Sequence, residues 1–326
     1  MRRRLEVLAM TIIGLVLFIA LLSTIGIDMV LSVFIKAQWI WLIPYLVVSF
    51  LIIMTLVLRW FLIITSHGYD VSLTHLFVVN AAGFATGYLS PFPLTGGEGA
   101  RAFFLGKRVM PHEEALSTVI IDKSINETMN VVFSVIGVML LLLAITIPGS
   151  VLLFVASSIC LIALVLVLFY YRVLKGKGFI LPILKFLGIF HKGFLLKYEK
   201  KMIETERCIS RFFRKDRKTF LLTIALSLIS WIFMFAEYKL LLLAFGYDTN
   251  LATIFLVIAV VAIAYITPVP AALGVLEGGQ AALFSFTRMR TSDGVALGII
   301  VRARDLVLTG IGLLYMINYG LTFRRK

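Results

Sequence analysis

Two stretches of the chain decide its fold: Ser90-Pro91-Phe92-Pro93-Leu94-Thr95-Gly96-Gly97-Glu98-Gly99-Ala100-Arg101, and Thr267-Pro268-Val269-Pro270-Ala271-Ala272-Leu273-Gly274-Val275-Leu276-Glu277. Each sets a Pro-x-Pro break inside a run that is otherwise apolar. Proline has no amide donor and its ring clashes with the preceding turn, so a helix that reaches Pro91 or Pro268 stops there. Pro93, Gly96 and Gly97 extend the first break, Pro270 and Gly274 the second. The apolar chain beyond each break is too short to cross a bilayer alone. The pattern predicts two helical hairpins, over about 75–106 and 251–287, each entering and leaving by one face.

The rest of the chain supplies the membrane around them. Of 326 residues, 61% are hydrophobic and 15% charged, and mean hydropathy is +1.03. Soluble domains carry about 45–50% apolar and about 25% charged residues. This balance excludes a soluble globular enzyme, a disordered chain and a secreted disulfide scaffold. The apolar runs are continuous rather than alternating, which argues against a barrel. A crossing helix needs about 20 apolar residues, and six segments meet that length: about 5–26, 39–64, 114–146, 150–171, 219–244 and 294–320. The first follows Arg2-Arg3-Arg4 and is longer than the roughly 7–15 residues of a signal-peptide core, so it reads as a retained span. The expected fold is an all-α polytopic membrane protein, one integral membrane domain over 1–326, with six transmembrane helices and two re-entrant hairpins.

Charge sets the sidedness. The segment Arg172–Lys218 carries a net +10 of the chain's +14. A loop this basic between spans stays on the cytoplasmic side. It does so here only if 75–106 turns back rather than crossing. Both termini, Arg2–Arg4 and Arg324–Lys326, then also lie in the cytoplasm of a cell (plasma) membrane protein. Aromatic residues do not interleave with the basic ones as nucleic-acid binding would need, so no nucleic-acid partner is expected. Within the loop Leu195, Tyr198, Met202, Ile209 and Phe213 recur at helical spacing, as in a basic amphipathic helix on anionic lipid. A solvated linker is the other reading of the same loop. Residues 179–190 are apolar but short, and are expected at the interface. Cys160, Cys208 and the four histidines show no metal-ligand spacing, so neither metal nor cofactor is expected.

The two halves share an order of features. In each, Pro-x-Pro leads to a glutamate (Glu98, Glu277), and then to a helix carrying charge (Asp122, Arg302). One hairpin enters from inside and the other from outside. That is the plan of an inverted repeat, with copies at about 39–171 and 219–320 and the basic loop 172–218 between them.

Ionisable groups at hydrocarbon depth are costly and mark function or pairing. They are Glu98, Arg101, Asp122, Lys123, Glu127, Glu277, Arg302, Arg304 and Asp305, with Asn126 beside them. At about 1.5 Å per residue, Asp122 and Glu127 lie roughly 12 and 20 Å into their span, and Arg302–Asp305 roughly 12–17 Å into theirs. Asp122 with Asn126, Lys123 with Glu127, and Arg302 with Asp305 have spacings that meet along one helix. A short helix is expected to start near Glu98, its dipole aimed inward and Gly96-Gly97 open to an anion. Two readings remain: the charges pair off and lock the bundle, or they line a polar cavity for a charged ligand. Glu237 and Lys239 read as interfacial residues without a role.

At these residues the chain resembles the lysylphosphatidylglycerol synthase transmembrane family, also described as flippase-like membrane proteins. The resemblance rests on Pro93 to Arg101, on Pro270 to Glu277, and on Arg302. Ala271-Ala272 stand where that family usually has a glycine pair, and Leu276 where many members have arginine. The resemblance implies an integral membrane protein handling lipids. Its best-described members move aminoacylated phospholipid between leaflets, and related ones are associated with polyprenol-linked sugars. The soluble aminoacyl-transferase domain of full-length synthases is not expected within these 326 residues.

The leading expectation is a lipid flippase. Arg101, Lys123 and Arg302 would hold a phosphate-bearing headgroup between the hairpins and the spans at 114–146 and 294–320. Glu98, Glu277 and Asp122 would orient those cations, hold an amine or carry a proton. Two alternatives are a membrane transferase or processing factor for phosphatidylglycerol or polyprenyl-phosphate lipids, with Glu98 or Asp122 as base, and an accessory subunit of a separate lipid synthase. No nucleophile elbow, P-loop or zincin motif is present.

Overall fold

A computed structural model describes residues 37–90, 93–144, 149–180 and 192–324, together with Ser23, Asp28, Ser32, Ile35 and Pro182. The expected span at 5–26, Pro91 and most of 179–190 lie outside the described residues. Ten α-helices are described: α1 (Leu42–Ser66), α2 (Leu73–Leu89), α3 (Pro93–Arg108), α4 (His112–Ala144), α5 (Gly149–Leu174), α6 (Lys192–Lys215), α7 (Arg217–Ala244), α8 (Leu251–Ile266), α9 (Val275–Phe286) and α10 (Thr291–Arg324). No strand occurs among them. Four helical stretches, Trp39–Ser66, His112–Leu143, Leu152–Leu174 and Arg217–Ala244, are long and apolar enough to cross a membrane. The expected span at 294–320 falls within α10, whose first half carries Asp293, Arg302, Arg304 and Asp305.

The second break forms where its prolines stand, and it has a local cause. Helix α8 starts on Asn250, whose side chain accepts from the Thr253 amide at 2.9 Å, a standard N-cap contact. It stops at Thr267, which is extended (φ −64°, ψ 143°) ahead of Pro268, because the residue before proline is pushed out of the α region. A 3-10 turn over Pro270–Ala272 then leads to α9, whose cap Gly274 has φ +74°. At the first, α2 ends at Leu89. Helix α3 begins at Pro93, not near Glu98 as the glycines suggested, so Gly96 and Gly97 lie inside its first turns. Proline is preorganised for a first helical position. The glycines serve packing: a Cβ on Gly97 would stand 2.8 Å from the Gly83 carbonyl oxygen of α2. The α2–α3 hairpin closes backbone to backbone, as small residues allow in membrane helices. Gly97→Val is expected to destabilise the protein by about 1–3 kcal/mol through overpacking, read as a lower melting temperature in detergent.

The two hairpins have matching neighbours. Helices of 17 and 16 residues flank the first break, and a 33-residue helix, α4, follows. Helices of 16 and 12 residues flank the second, and the 34-residue α10 follows. At about 1.5 Å per residue, α9 is roughly 18 Å long, well short of the roughly 30 Å hydrocarbon layer.

The chain forms two compact units: the described part of Met1–Met54 with Phe77–Arg101 and Trp231–Lys326, and Thr55–Leu76 with Ala102–Ser230. The first has a core of Tyr238, Leu241 and Leu242 from α7, Ile254, Val257 and Val261 from α8, Leu276 and Phe284 from α9, and Leu297 and Val301 from α10. Helix α10 packs on α9 through Gly298, where a Cβ would stand 3.1 Å from the Glu277 Cα.

The second unit is built on Ile63, Ile121, Ile125, Val173, Ile209 and Phe212. The last two belong to α6, so the basic segment is neither a bare linker nor an isolated surface helix. Its apolar face packs on the unit, with Thr205, Cys208, Ile209 and Phe212 buried, and its basic face is left outside. Burial pushes the Cys208 thiol above its ordinary range, so little thiolate is present at neutral pH. Maleimide is expected to leave Cys208 unmodified in the folded protein and to label it after denaturation, checked by intact-protein mass spectrometry.

Candidate functional site

In the first unit the second break is clamped from α10. The Arg302 Nε donates to Glu277 Oε1 at 2.6 Å and its Nη2 to Oε2 at 2.8 Å. The other arm reaches back into the turn, Nη1 to the Ala271 carbonyl at 2.7 Å and Nη2 to that of Ala272 at 3.3 Å. Glu277 is fully buried. Its Oε2 also accepts from the Gly274 amide at 3.0 Å, so the same carboxylate caps α9 and anchors the guanidinium. The forked geometry of arginine matches a carboxylate plus two carbonyls, which lysine cannot do. In hydrocarbon those carbonyls would otherwise have no partner.

Ala271 (φ 55°) and Ala272 (φ 48°) both adopt left-handed backbone. An L-residue there is strained by roughly 1–2 kcal/mol, and glycine is not. Left-handed backbone is thus required at the positions where the sequence departs from a glycine pair. Ala271→Gly and Ala272→Gly are each expected to stabilise the protein by up to about 1 kcal/mol, the relieved strain exceeding the added freedom of the unfolded chain. Thermal unfolding in detergent checks the sign.

Two residues further along α10, at Arg304, a second cluster forms. The Arg304 Nη1 donates to Glu237 Oε1 of α7 at 2.6 Å, while its Nε and Nη2 both meet Asp305 Oδ1 at 2.9 Å. The Ser49 hydroxyl of α1 donates to Glu237 and the Tyr265 hydroxyl of α8 to Asp305. Tyr88 of α2 packs on Tyr265 with ring centroids 6.2 Å apart. One guanidinium thus lies between two buried carboxylates, in a cluster drawing on α1, α7, α8 and α10.

In the second unit the Arg59 Nε of α1 donates to Asp122 Oδ1 of α4 at 2.7 Å, and both groups are almost wholly buried. The remaining arms reach Ser227 Oγ at 3.0 Å and Asn126 Oδ1 at 3.4 Å. Lys123 and Glu127 pair along α4 at 3.1 Å and remain about a third exposed, and Asn130 also donates to Glu127.

The sequence-derived candidates sort accordingly. Lys123 meets Glu127 as the spacing requires. Asp122 and Asn126 share one face, joined through Arg59 rather than directly. Arg302 does not pair with Asp305, as the three-residue spacing suggested. Its side chain turns to α9, and Asp305 takes Arg304 instead. Glu98 and Arg101 lie half-buried on α3, the Arg101 stem against Gly83. The sequence reading set Glu237 aside as interfacial; it is buried and holds Arg304. Lys239 keeps the surface role expected of it, reaching Asp248 and the Thr249 carbonyl. Arg59 was missed, although a lone cation in an apolar run is the signal that finds such residues.

These features, a glutamate after each break and an arginine on the long helix beyond the second, extend over most of the chain. A model of the lysylphosphatidylglycerol synthase transmembrane region matches residues 7–312. The chain belongs to that family. Family relatives include a UPF0104 membrane protein of Methanothermobacter thermautotrophicus, 24% identical over 299 residues, covering 89% of this chain and 88% of the relative. Another, of Pyrococcus horikoshii, is 26% identical over 306 residues, covering 89% and 90%. No solved structure matches. Family membership and the apolar helices make this an integral membrane protein with several crossings, associated with lipid.

Proposed function

We propose that the chain moves a lipid with a phosphate-bearing headgroup between the leaflets of the plasma membrane, as a flippase-type transporter. The observation that carries this reading is the pair of buried charge clusters on α10, set beside a helix broken by prolines. A protein that needed only a stable bundle would be as stable or more so with apolar residues in those places. Six crossings, two re-entrant hairpins in an inverted repeat and cytoplasmic termini complete the scheme; the matching helix lengths around the two breaks support the repeat. In it Arg101 and Lys123, each within its own unit, are cations that can meet a phosphate. Arg302 and Glu277 keep the second hairpin open at its tip. Glu98, Asp122, Asn126, Glu127, Arg304 and Asp305 hold those cations in place or carry a coupling proton.

The reading is tested in vesicles reconstituted with the purified protein and a fluorescent phospholipid. Quenching from outside should reach both leaflets faster than in protein-free vesicles, and mass spectrometry should find the lipid unchanged. A lipid altered covalently, without exchange, would instead support the transferase alternative. Sidedness has its own test. Single cysteines at Asp70 and Val109, in a chain lacking Cys160 and Cys208, should be labelled by an impermeant maleimide from the same side. Labelling from opposite sides would make α2–α3 a crossing.

A further inference from the structure

Helix α6 and the chain leaving α5 enclose a cavity of about 1080 Å³ in the second unit. Its rim carries Lys177 and, on one face of α6, Arg207, Arg211, Arg214 and Lys215. Glu206 is the one acidic residue among the described lining residues. That carboxylate is engaged elsewhere: its Oε1 accepts from the Phe179 and Ile180 amides at 2.6 and 2.5 Å. The four α6 cations make no ion pair with any described residue. Among the described lining residues five cations, Lys177, Arg207, Arg211, Arg214 and Lys215, thus face the single carboxylate of Glu206, and such an excess of positive charge around a concavity suits an anion.

The opposite wall is fixed rather than loose. Arg172 Nη1 donates to the Gly178 carbonyl at 2.8 Å, and Ser210 Oγ to the Val173 carbonyl at 2.8 Å. A Cβ on Gly178 would stand 2.9 Å from Glu206 Oε2, so glycine at 178 leaves Glu206 room to hold this turn. The lining also includes apolar Val173, Phe179 and Ile203. The site lies where two apolar helices end, α5 at Leu174 and α7 at Arg217, which is headgroup depth for helices that span.

We infer that this cavity binds the phosphate-bearing headgroup of an anionic lipid, as a site separate from the intramembrane clusters and independent of the translocation reading. Basic cups at a membrane boundary suit such headgroups. The apolar lining receives the glycerol backbone and the start of the acyl chains, which a soluble phosphate lacks.

The test is native mass spectrometry of the full chain in detergent, titrated with phosphatidic acid. Wild type should retain at least one molecule, and should retain phosphatidylcholine more weakly. Arg211→Ala with Arg214→Ala should weaken retention at least about tenfold, the worth of one charge-assisted hydrogen bond. Lys200→Ala with Lys218→Ala removes the same charge nearby but outside the cavity and should change retention less than about twofold, since such exposed charges are screened. Gly178→Ala, which disturbs the wall without altering charge, should weaken retention as well. Equal losses in the two double variants would mean diffuse adsorption and overturn the site. Saturation by inorganic phosphate without lipid retention would overturn the lipid as its occupant.

Discussion

Replacing Arg302 by alanine is expected to destabilise the protein by about 3–5 kcal/mol, the usual consequence of leaving a buried charge without its partner. The change leaves the buried Glu277 without its counter-charge, and it removes the donors from the Ala271 and Ala272 carbonyls. The left-handed turn then loses the contact that holds it. Arg302→Lys should recover little, because an ammonium cannot span a carboxylate and two carbonyls at once. Denaturation in detergent, followed by the loss of helical signal, would measure both. An Arg302→Ala protein as stable as wild type would mean that the Arg302–Glu277 contact does not hold the break together.

Arg59→Ala is expected to cost a similar amount, about 3–5 kcal/mol, by orphaning Asp122 in the second unit. Here a compensating change separates structure from function. Arg59→Met with Asp122→Leu fills the same space with apolar side chains, and such replacements are neutral or stabilising by about 1–4 kcal/mol. If the pair serves stability alone, the double variant should be as stable as wild type and equally active in lipid exchange. If it is part of a lipid path, stability should return while exchange does not.

The breaks were legible because proline acts on its own neighbours: Pro268 ends α8 whatever lies beside it. Amphipathic α6 was legible for a like reason, since its periodicity is local. The start of α3 was misjudged because Gly96 and Gly97 look like a loop in sequence. In a membrane helix a glycine also permits close approach, and Gly83, the partner that makes this the better reading, lies well upstream in the chain. Glu237 was misplaced by counting depth along α7, a one-dimensional measure that knows nothing of Arg304 or Ser49. The pairings of Arg302 with Glu277 and of Arg59 with Asp122 join separate helices and follow from packing. The spacing rule applied to Arg302 and Asp305 considers one helix only, and so chose the wrong acid.

Leaflet exchange by Arg101→Gln, a variant that keeps a polar, though shorter, side chain and removes its charge, tests translocation most directly. In reconstituted vesicles, with helical content and melting temperature matching wild type, exchange of a phosphate-bearing lipid should fall at least about tenfold, since one charge-assisted contact is lost. Exchange at the wild-type rate in that folded variant would contradict the account.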